Sequence, residues 1–422
     1  MRKSTFSTYS LKLSLPIILL LLAGGCTSAD RHSGAEAFEK IPPGEAEQIQ
    51  HIANLTPELQ DKRALLPEQH GKVLRGVHPK AHGCVQAEFV INEDISKEYQ
   101  VGLFKHPGKK YDANIRFSNA SVRVAHDLEN GKNGSRGMAI KVYDVKGQFL
   151  EEDNGRQNQD FLMINTPEFA FANVRSYTFL TDTLNASPHG NDPNKLFGLV
   201  LILAKVNKTP PPFPVPQAED LEKLKAILTS QNSQLPTGFT LKDLQELTTT
   251  LNIVVTKIQT QTVRNPLQVQ YFGAAPFLFG PDRVMKFSTA PQLKVEQIAF
   301  TTEPSENYLR EALAETMAGS KDIVFDFKIQ VRNTDADFGE RQELIENATT
   351  TWDTANVKEV DNYVNAAKII IKAPQQTMTA EAQAQCEQLA FSPWHSLSAH
   401  QPVGGINRLR RGVYIDSELH RK

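Results

Sequence analysis

Asn114-Ile115-Arg116-Phe117-Ser118-Asn119 alternates in the manner of a β-strand, with Ser118 close to its end. Similar short runs lie around it at 85–91, 138–145 and 160–165. Turn-rich connections separate them, Glu129-Asn130-Gly131-Lys132-Asn133-Gly134 being the clearest. Strand character resumes at 268–272, 284–287, 297–301 and 323–331. Short strands at this spacing predict an antiparallel sheet or barrel, not a doubly wound parallel sheet.

Helices complete an α+β pattern. Residues 44–73 carry Ile49, Ile52, Leu55 and Leu59 at amphipathic spacing. Residues 209–217, Thr-Pro-Pro-Pro-Phe-Pro-Val-Pro-Gln, form a stiff polyproline-like connector. Helical patterns at 193–206, 218–228 and 241–251 flank it, which marks a helical, Pro-rich insertion at about 193–263. Helix returns from about Ala380.

The chain has 422 residues, 40% of them apolar and 22% charged, with a net charge of −2. Three cations, Arg2, Lys3 and Lys12, lie in the first 25 residues, so the body is mildly acidic and offers no electrostatic reason for nucleic-acid binding. Basic residues followed by an apolar stretch ending in Leu22-Ala23-Gly24-Gly25-Cys26 resemble a bacterial lipoprotein signal, with Ala in place of the usual Leu three residues before the cysteine. The expectation is a signal at 1–25, lipid on Cys26, a tether at 26–40 and a body at 41–422. Thr27 after Cys26 suggests an outer-membrane anchor facing the periplasm. The other cysteines, Cys84 and Cys386, could pair or stay as buried thiols. No Cys-x-x-Cys-His occurs to attach a cofactor covalently.

Chemistry-bearing residues sit at scattered points. Arg75-Gly76-Val77-His78-Pro79-Lys80-Ala81-His82-Gly83 precedes the first strand, and its His78 could act as a general base. Ser118 could orient that imidazole. Asn165, in Asn165-Thr166-Pro167-Glu168-Phe169, ends an apolar strand with a carboxamide. Near the end, Arg410, Tyr414 and Arg421 fall at i, i+4 and i+11, one face of a helix that could hold a phenolate and a neighbouring anion.

Together these residues resemble the catalase superfamily. The Arg-x-x-His-x-Lys-x-x-Gly motif looks like Arg75, His78, Lys80 and Gly83, and the Arg-Phe-Ser strand like Arg116-Phe117-Ser118. The Arg-Gly-x-Ala-x-Lys-x-Tyr strand looks like Arg136 to Tyr143, and Asn-Thr-Pro-x-Phe like Asn165 to Phe169. Arg-x-x-x-Tyr-x-Asp, with an arginine seven residues beyond the tyrosine, is similar to Arg410, Tyr414, Asp416 and Arg421. All five motifs occur in the family's order.

The resemblance implies a β-barrel with surrounding helices and a b-type haem between barrel and C-terminal helix. His78, Ser118 and Asn165 would be the distal catalytic set, and Tyr414 the iron ligand kept ionised by Arg410. Arg75, Arg116 and Arg421 would pair with the propionates. The expected activity is catalase or peroxidase turnover of hydrogen peroxide or organic hydroperoxides, with an unidentified electron donor; oligomerisation is compatible with it. A hydroperoxide isomerase or lyase is the same-family alternative, though Val77 matches catalases where the isomerase branch has Thr. A haem-binding or sensor lipoprotein is the non-catalytic one. The stretch from Phe391 to Gly405 resembles the short bacterial catalase-like haem proteins. The missing C-terminal helical region of large catalases implies a more open pocket. His395 and His400 are rival iron ligands by residue type alone.

Overall fold

Eight strands follow one another round a closed antiparallel barrel. They are β1 (Ala81–Ile91), β2 (Lys110–Asn119), β3 (Arg136–Val142), β4 (Gln159–Ile164), β5 (Tyr271–Leu278), β6 (Arg283–Pro291), β7 (Ile323–Asn333) and β8 (Tyr363–Ile371). Each pairs with the next, and β8 returns to β1 with Ile371 opposite Ala87. The computed structural model describes residues 34–422 except 130–131, 152, 154, 186–192, 294, 334–342, 351 and 353–362. The expected signal and Cys26 lie outside the described residues.

Period-two alternation sorts each strand into two faces. Ile115 and Phe117 of β2 point to the interior and are fully buried. Phe89, Phe161, Phe287 and Phe327 fill the same space, with ring centroids 4.7 Å apart for Phe161–Phe327 and 4.9 Å for Phe161–Phe287. The barrel is therefore a packed aromatic core, each buried ring contributing about 1.5–3 kcal/mol. The outer face carries Arg116 and Ser118, and covering elements bury these as well.

Helix α1 (Glu45–Ala64) packs against α9 (Gly405–Arg421). Gln60 Nε2 donates to the Ser417 carbonyl at 3.2 Å, and the Gly76 amide donates to Ser417 Oγ at 2.8 Å. A side chain at Gly76 would meet Thr56 Cγ2 at 2.8 Å, so the backbone must run bare between these helices. The helical region starts earlier than the predicted insertion, with α2 (Val174–Asn185), and continues through α3 (Pro193–Asn207), α4 (Ala218–Ser230) and α5 (Leu241–Asn252). It has its own apolar core, including Leu180, Leu203, Phe213, Leu244 and Leu251. Asn252 clamps the proline-rich connector, accepting from the Phe213 amide at 2.8 Å and donating to its carbonyl at 2.9 Å. Helices α6 (Tyr308–Ala318), α7 (Glu343–Glu346) and α8 (Ala380–Gln388) complete the set.

Several expectations need correction. No strand forms at 297–301, because β6 is already paired on both edges by β5 and β7. Those residues instead bind Arg264, whose amide donates to Gln297 Oε1 and whose guanidinium reaches the Ile298 carbonyl. The strand expected at 268–272 starts only at Tyr271, after a 3-10 turn at Pro266–Gln268. The chain already packs from Gly34, within the span expected as a tether: Ala35 and Phe38 are buried against Leu278, Trp352 and Val403. Cys84 and Cys386 are joined, with Sγ atoms 2.04 Å and Cα atoms 5.4 Å apart, which ties α8 to β1. No helix among the described residues is long and apolar enough to cross a membrane.

Candidate active site

His78 sits in the turn before β1 with φ 55°, a left-handed conformation that aims its ring across the end of the sheet. Its Nδ1 and Ser118 Oγ share a hydrogen bond of 2.9 Å. Ser118 is opposite Gly137 in the β2–β3 register. A Cβ at Gly137 would lie 2.5 Å from His78 Nδ1, so only glycine admits the imidazole there. Burial lowers the His78 pKa, and Arg116, Arg410 and Arg75 lower it further, to about 3. The ring is therefore neutral at neutral pH and able to accept a proton.

The opposite wall comes from α9. Tyr414 stands one turn beyond Arg410, whose guanidinium lies 5.3 Å from the phenol ring centroid. Arg410 Nη1 also donates to Asn407 Oδ1 at 3.1 Å. Tyr177 of α2 is a neighbour that sequence reasoning missed; burial, then the adjacent Tyr414, raises its pKa.

Arg75, Arg116 and Arg421 converge at the end of α8. Arg75 pairs with the Glu387 carboxylate and donates to the Leu389 carbonyl at 2.6 Å. Arg421 Nη1 donates to the Glu387 carbonyl at 2.8 Å, and Arg116 Nη2 lies 3.4 Å from Glu387 Oε1. Burial, then the adjacent Arg75, lowers the pKa of Arg116 to about 9 and that of Arg421 to about 10. Arg116 Nε is buried without a hydrogen-bond partner.

One cavity of about 860 Å³ collects seven of the eight predicted pocket residues: Arg75, His78, Arg116, Ser118, Arg410, Tyr414 and Arg421. Asn165 stands outside its lining. The Asn165 Oδ1 atom accepts from the Arg136 amide at 2.6 Å and from Ser135 Oγ at 3.2 Å, while Nδ2 donates to Gln261 Oε1. Its carboxamide thus braces the strand beside Gly137. Glu387 and Gln261 had no motif to announce them; for Glu387 the one usable signal was its place next to Cys386.

The rival histidines are engaged elsewhere. His395 Nδ1 is 3.0 Å from Asp160 Oδ2. His400 Nε2 accepts from the Leu103 amide at 3.1 Å, and its ring packs between Phe104 and Phe279. Neither lines the cavity.

The family model for catalase matches residues 66–197. The catalase-like protein of Staphylococcus aureus is 29% identical over 144 residues, covering 34% of this chain and 27% of that protein. The catalase of Staphylococcus haemolyticus (strain JCSC1435) is 30% identical over 130 residues, covering 31% of this chain and 22% of that protein. The chain thus matches about a quarter of the length of these curated relatives. Among solved structures, a fungal catalase covers 82% of this chain and 59% of its own at 16% identity, with a TM-score of 0.53. Catalase A from Saccharomyces cerevisiae likewise covers 82% of this chain and 61% of its own at 15% identity, with a TM-score of 0.52. The catalase family model thus spans the first four motifs, the fifth stands on α9, and the barrel shares the fold of the solved catalases.

Proposed function

We propose that this chain is a haem-dependent enzyme that consumes peroxides, taking organic hydroperoxides as well as hydrogen peroxide. The observation that carries the reading is the neutral His78 imidazole, bonded to Ser118, in the same cavity as a Tyr414 phenol flanked by Arg410. The residues fit the cofactor. Tyr414 offers a hard oxygen ligand for ferric iron, with the Arg410 guanidinium 5.3 Å from its ring centroid. Arg75, Arg116 and Arg421 supply guanidinium groups for two carboxylates, Arg116 with a buried, unpartnered Nε. Val77, Met138, Phe169, Leu409 and Val413 give apolar walls.

When bound, haem supplies the iron redox chemistry that splits a peroxide O–O bond. The chain supplies the proton management. With Nδ1 engaged by Ser118, His78 Nε2 takes the proton from the attacking peroxide and returns it to the departing oxygen, which leaves as water or an alcohol. Ser118 fixes the ring plane, and Asn165 holds the Arg136 backbone that frames Gly137. Val200, Pro211, Val254, Val255 and Ile258 of the helical region extend the apolar lining, which suits hydroperoxides carrying a hydrocarbon chain.

Reconstitution of the mature chain with haem tests this reading. Oxygen release from hydrogen peroxide and donor oxidation with an alkyl hydroperoxide are measured side by side. His78→Ala should lower both by about 10²–10⁴-fold while haem stays bound. Tyr414→Phe should change the ferric spectrum and weaken haem retention. Full turnover without His78, or an unchanged spectrum without the phenol, would overturn the assignments.

The same reading puts the protein on a lipid anchor at Cys26, exported and facing the periplasm. The Cys84–Cys386 disulfide supports an oxidising compartment. Wild-type protein should partition into the detergent phase and Cys26→Ser into the aqueous phase; equal partitioning of the two would refute the anchor.

A further inference from the structure

The arginine cluster contains its own acid. Glu387, in the last turn of α8, places its carboxylate on Arg75 and within 3.4 Å of Arg116. Its carbonyl accepts from Arg75 at 3.1 Å and from Arg421 at 2.8 Å, so Arg75 holds both main chain and side chain, with Arg421 on the first and Arg116 on the second. The preceding residue, Cys386, is bonded to Cys84 on β1, whose register partner on β2 is Arg116. The disulfide therefore pins the end of α8 beside the guanidinium that Glu387 faces. Burial works to raise the Glu387 pKa, but Arg116 and Arg75 outweigh it and hold the carboxyl below its ordinary 4.5, so it is ionised at neutral pH. Glu418, another acid near Arg421, is paired with Lys422. Arg75, Arg116 and Arg421 thus keep an excess of positive charge that Glu387 reduces but does not cancel.

We propose that Glu387 is a specificity-determining residue for the acid groups of the cavity's ligand: a resident carboxylate, pinned by Cys84–Cys386, that competes for Arg75 and Arg116. The inference rests on the haem reading, since the ligand carboxylates at this rim are then the propionates. Two carboxylates on one pair of guanidinium groups repel each other, so Glu387 weakens the hold on a diacid porphyrin and leaves a diester untouched. The disulfide makes this selection permanent, because the α8 end cannot swing aside when a ligand carboxylate arrives.

The test is a Soret-absorbance titration of the full chain with haem, with metal-free protoporphyrin IX, and with its dimethyl ester. Glu387→Gln keeps the shape and removes the charge. It should lower the Kd of both diacids by roughly fivefold and leave that of the diester unchanged. Glu387→Asp, which withdraws the charge by one methylene, should fall between wild type and Glu387→Gln. The double variant Cys84→Ser with Cys386→Ser should shift in the same direction, and should add nothing on top of Glu387→Gln. Equal or weaker diacid binding by Glu387→Gln, or an equal shift for the diester, overturns the inference while the haem reading stands. Failure of both wild type and Glu387→Gln to bind haem overturns the haem reading and this inference with it.

Discussion

Strand β2 carries two environments one residue apart. Phe117 points into the barrel among Phe and Ile side chains, whereas Arg116 and Ser118 point outward to the cavity. Both faces are buried, yet they are buried against different things. The inner face meets the apolar core, and its contribution is packing. The outer face meets α9, α8 and the turn that carries His78, and every polar group there has to be aimed. A period-two strand therefore supplies stability and chemistry from one backbone, and a fault on one face should leave the other face working.

That separation can be broken deliberately. The largest effect is expected from Phe287→Ala on β6, which opens a void among Phe161, Phe277 and Phe327. It should cost about 3–5 kcal/mol in chemical denaturation while turnover per folded molecule stays near wild type. A parallel fall in turnover per folded molecule would show that the faces are coupled. Gly137→Ala should do the reverse. Its Cβ would press on His78 Nδ1 at 2.5 Å and on Ser118 Oγ at 2.9 Å, displacing the imidazole. Peroxide turnover should fall about a hundredfold with a melting shift well below that of Phe287→Ala.

A pH titration of stability adds a smaller effect, because two histidines are buried and neutral, His78 on the cavity side and His400 against Phe104 and Phe279. Burial depresses the pKa of His78 to about 3 and that of His400 to about 4, from an ordinary 6.5. The unfolded chain gains these protons near 6.5 and the folded chain does not. Their contribution is thus full above that pH and is lost as pH falls through 5 toward 4 and 3. Each histidine should give a slope of at most about 1.4 kcal/mol per pH unit in that window. His400→Gln and His78→Gln should each flatten the curve, and a curve unchanged in both would contradict the buried neutral state.

Most of the barrel was readable where the two faces differ. Asn114 to Asn119 alternates, so β2 was visible, and the motifs on β2, β3 and β4 fell where the strands place them. Strand β8 was not visible, because Ala366-Ala367-Lys368-Ile369-Ile370-Ile371 lacks alternation and a register irregularity falls at Asn365/Ala367. Helix α6 was missed although Leu309, Leu313 and Met317 recur every four residues, all fully buried. The segment 297–301 has strand-like residues and no free edge to join, which local pattern cannot report. The same limit applied to the site. His78, Ser118 and Tyr414 stand in motifs, whereas the roles of Glu387 and Gln261 exist only through contacts with Arg75 and Asn165, hundreds or scores of residues away.

The ring closure of β8 onto β1 has a consequence for how the molecule comes into being. Ala87 meets Ile371, so the seam joins the first strand to the last, and the disulfide spanning 302 residues crosses the same seam. During synthesis β1 has its partner on one side only until nearly the whole chain has emerged. His78 and Tyr414 cannot share a cavity before α9 exists. The chain should therefore stay unlocked until its last helix arrives, slow to settle but still threadable. The two walls of the cavity, carried by His78 and Tyr414, therefore come together late, once the barrel between them has closed.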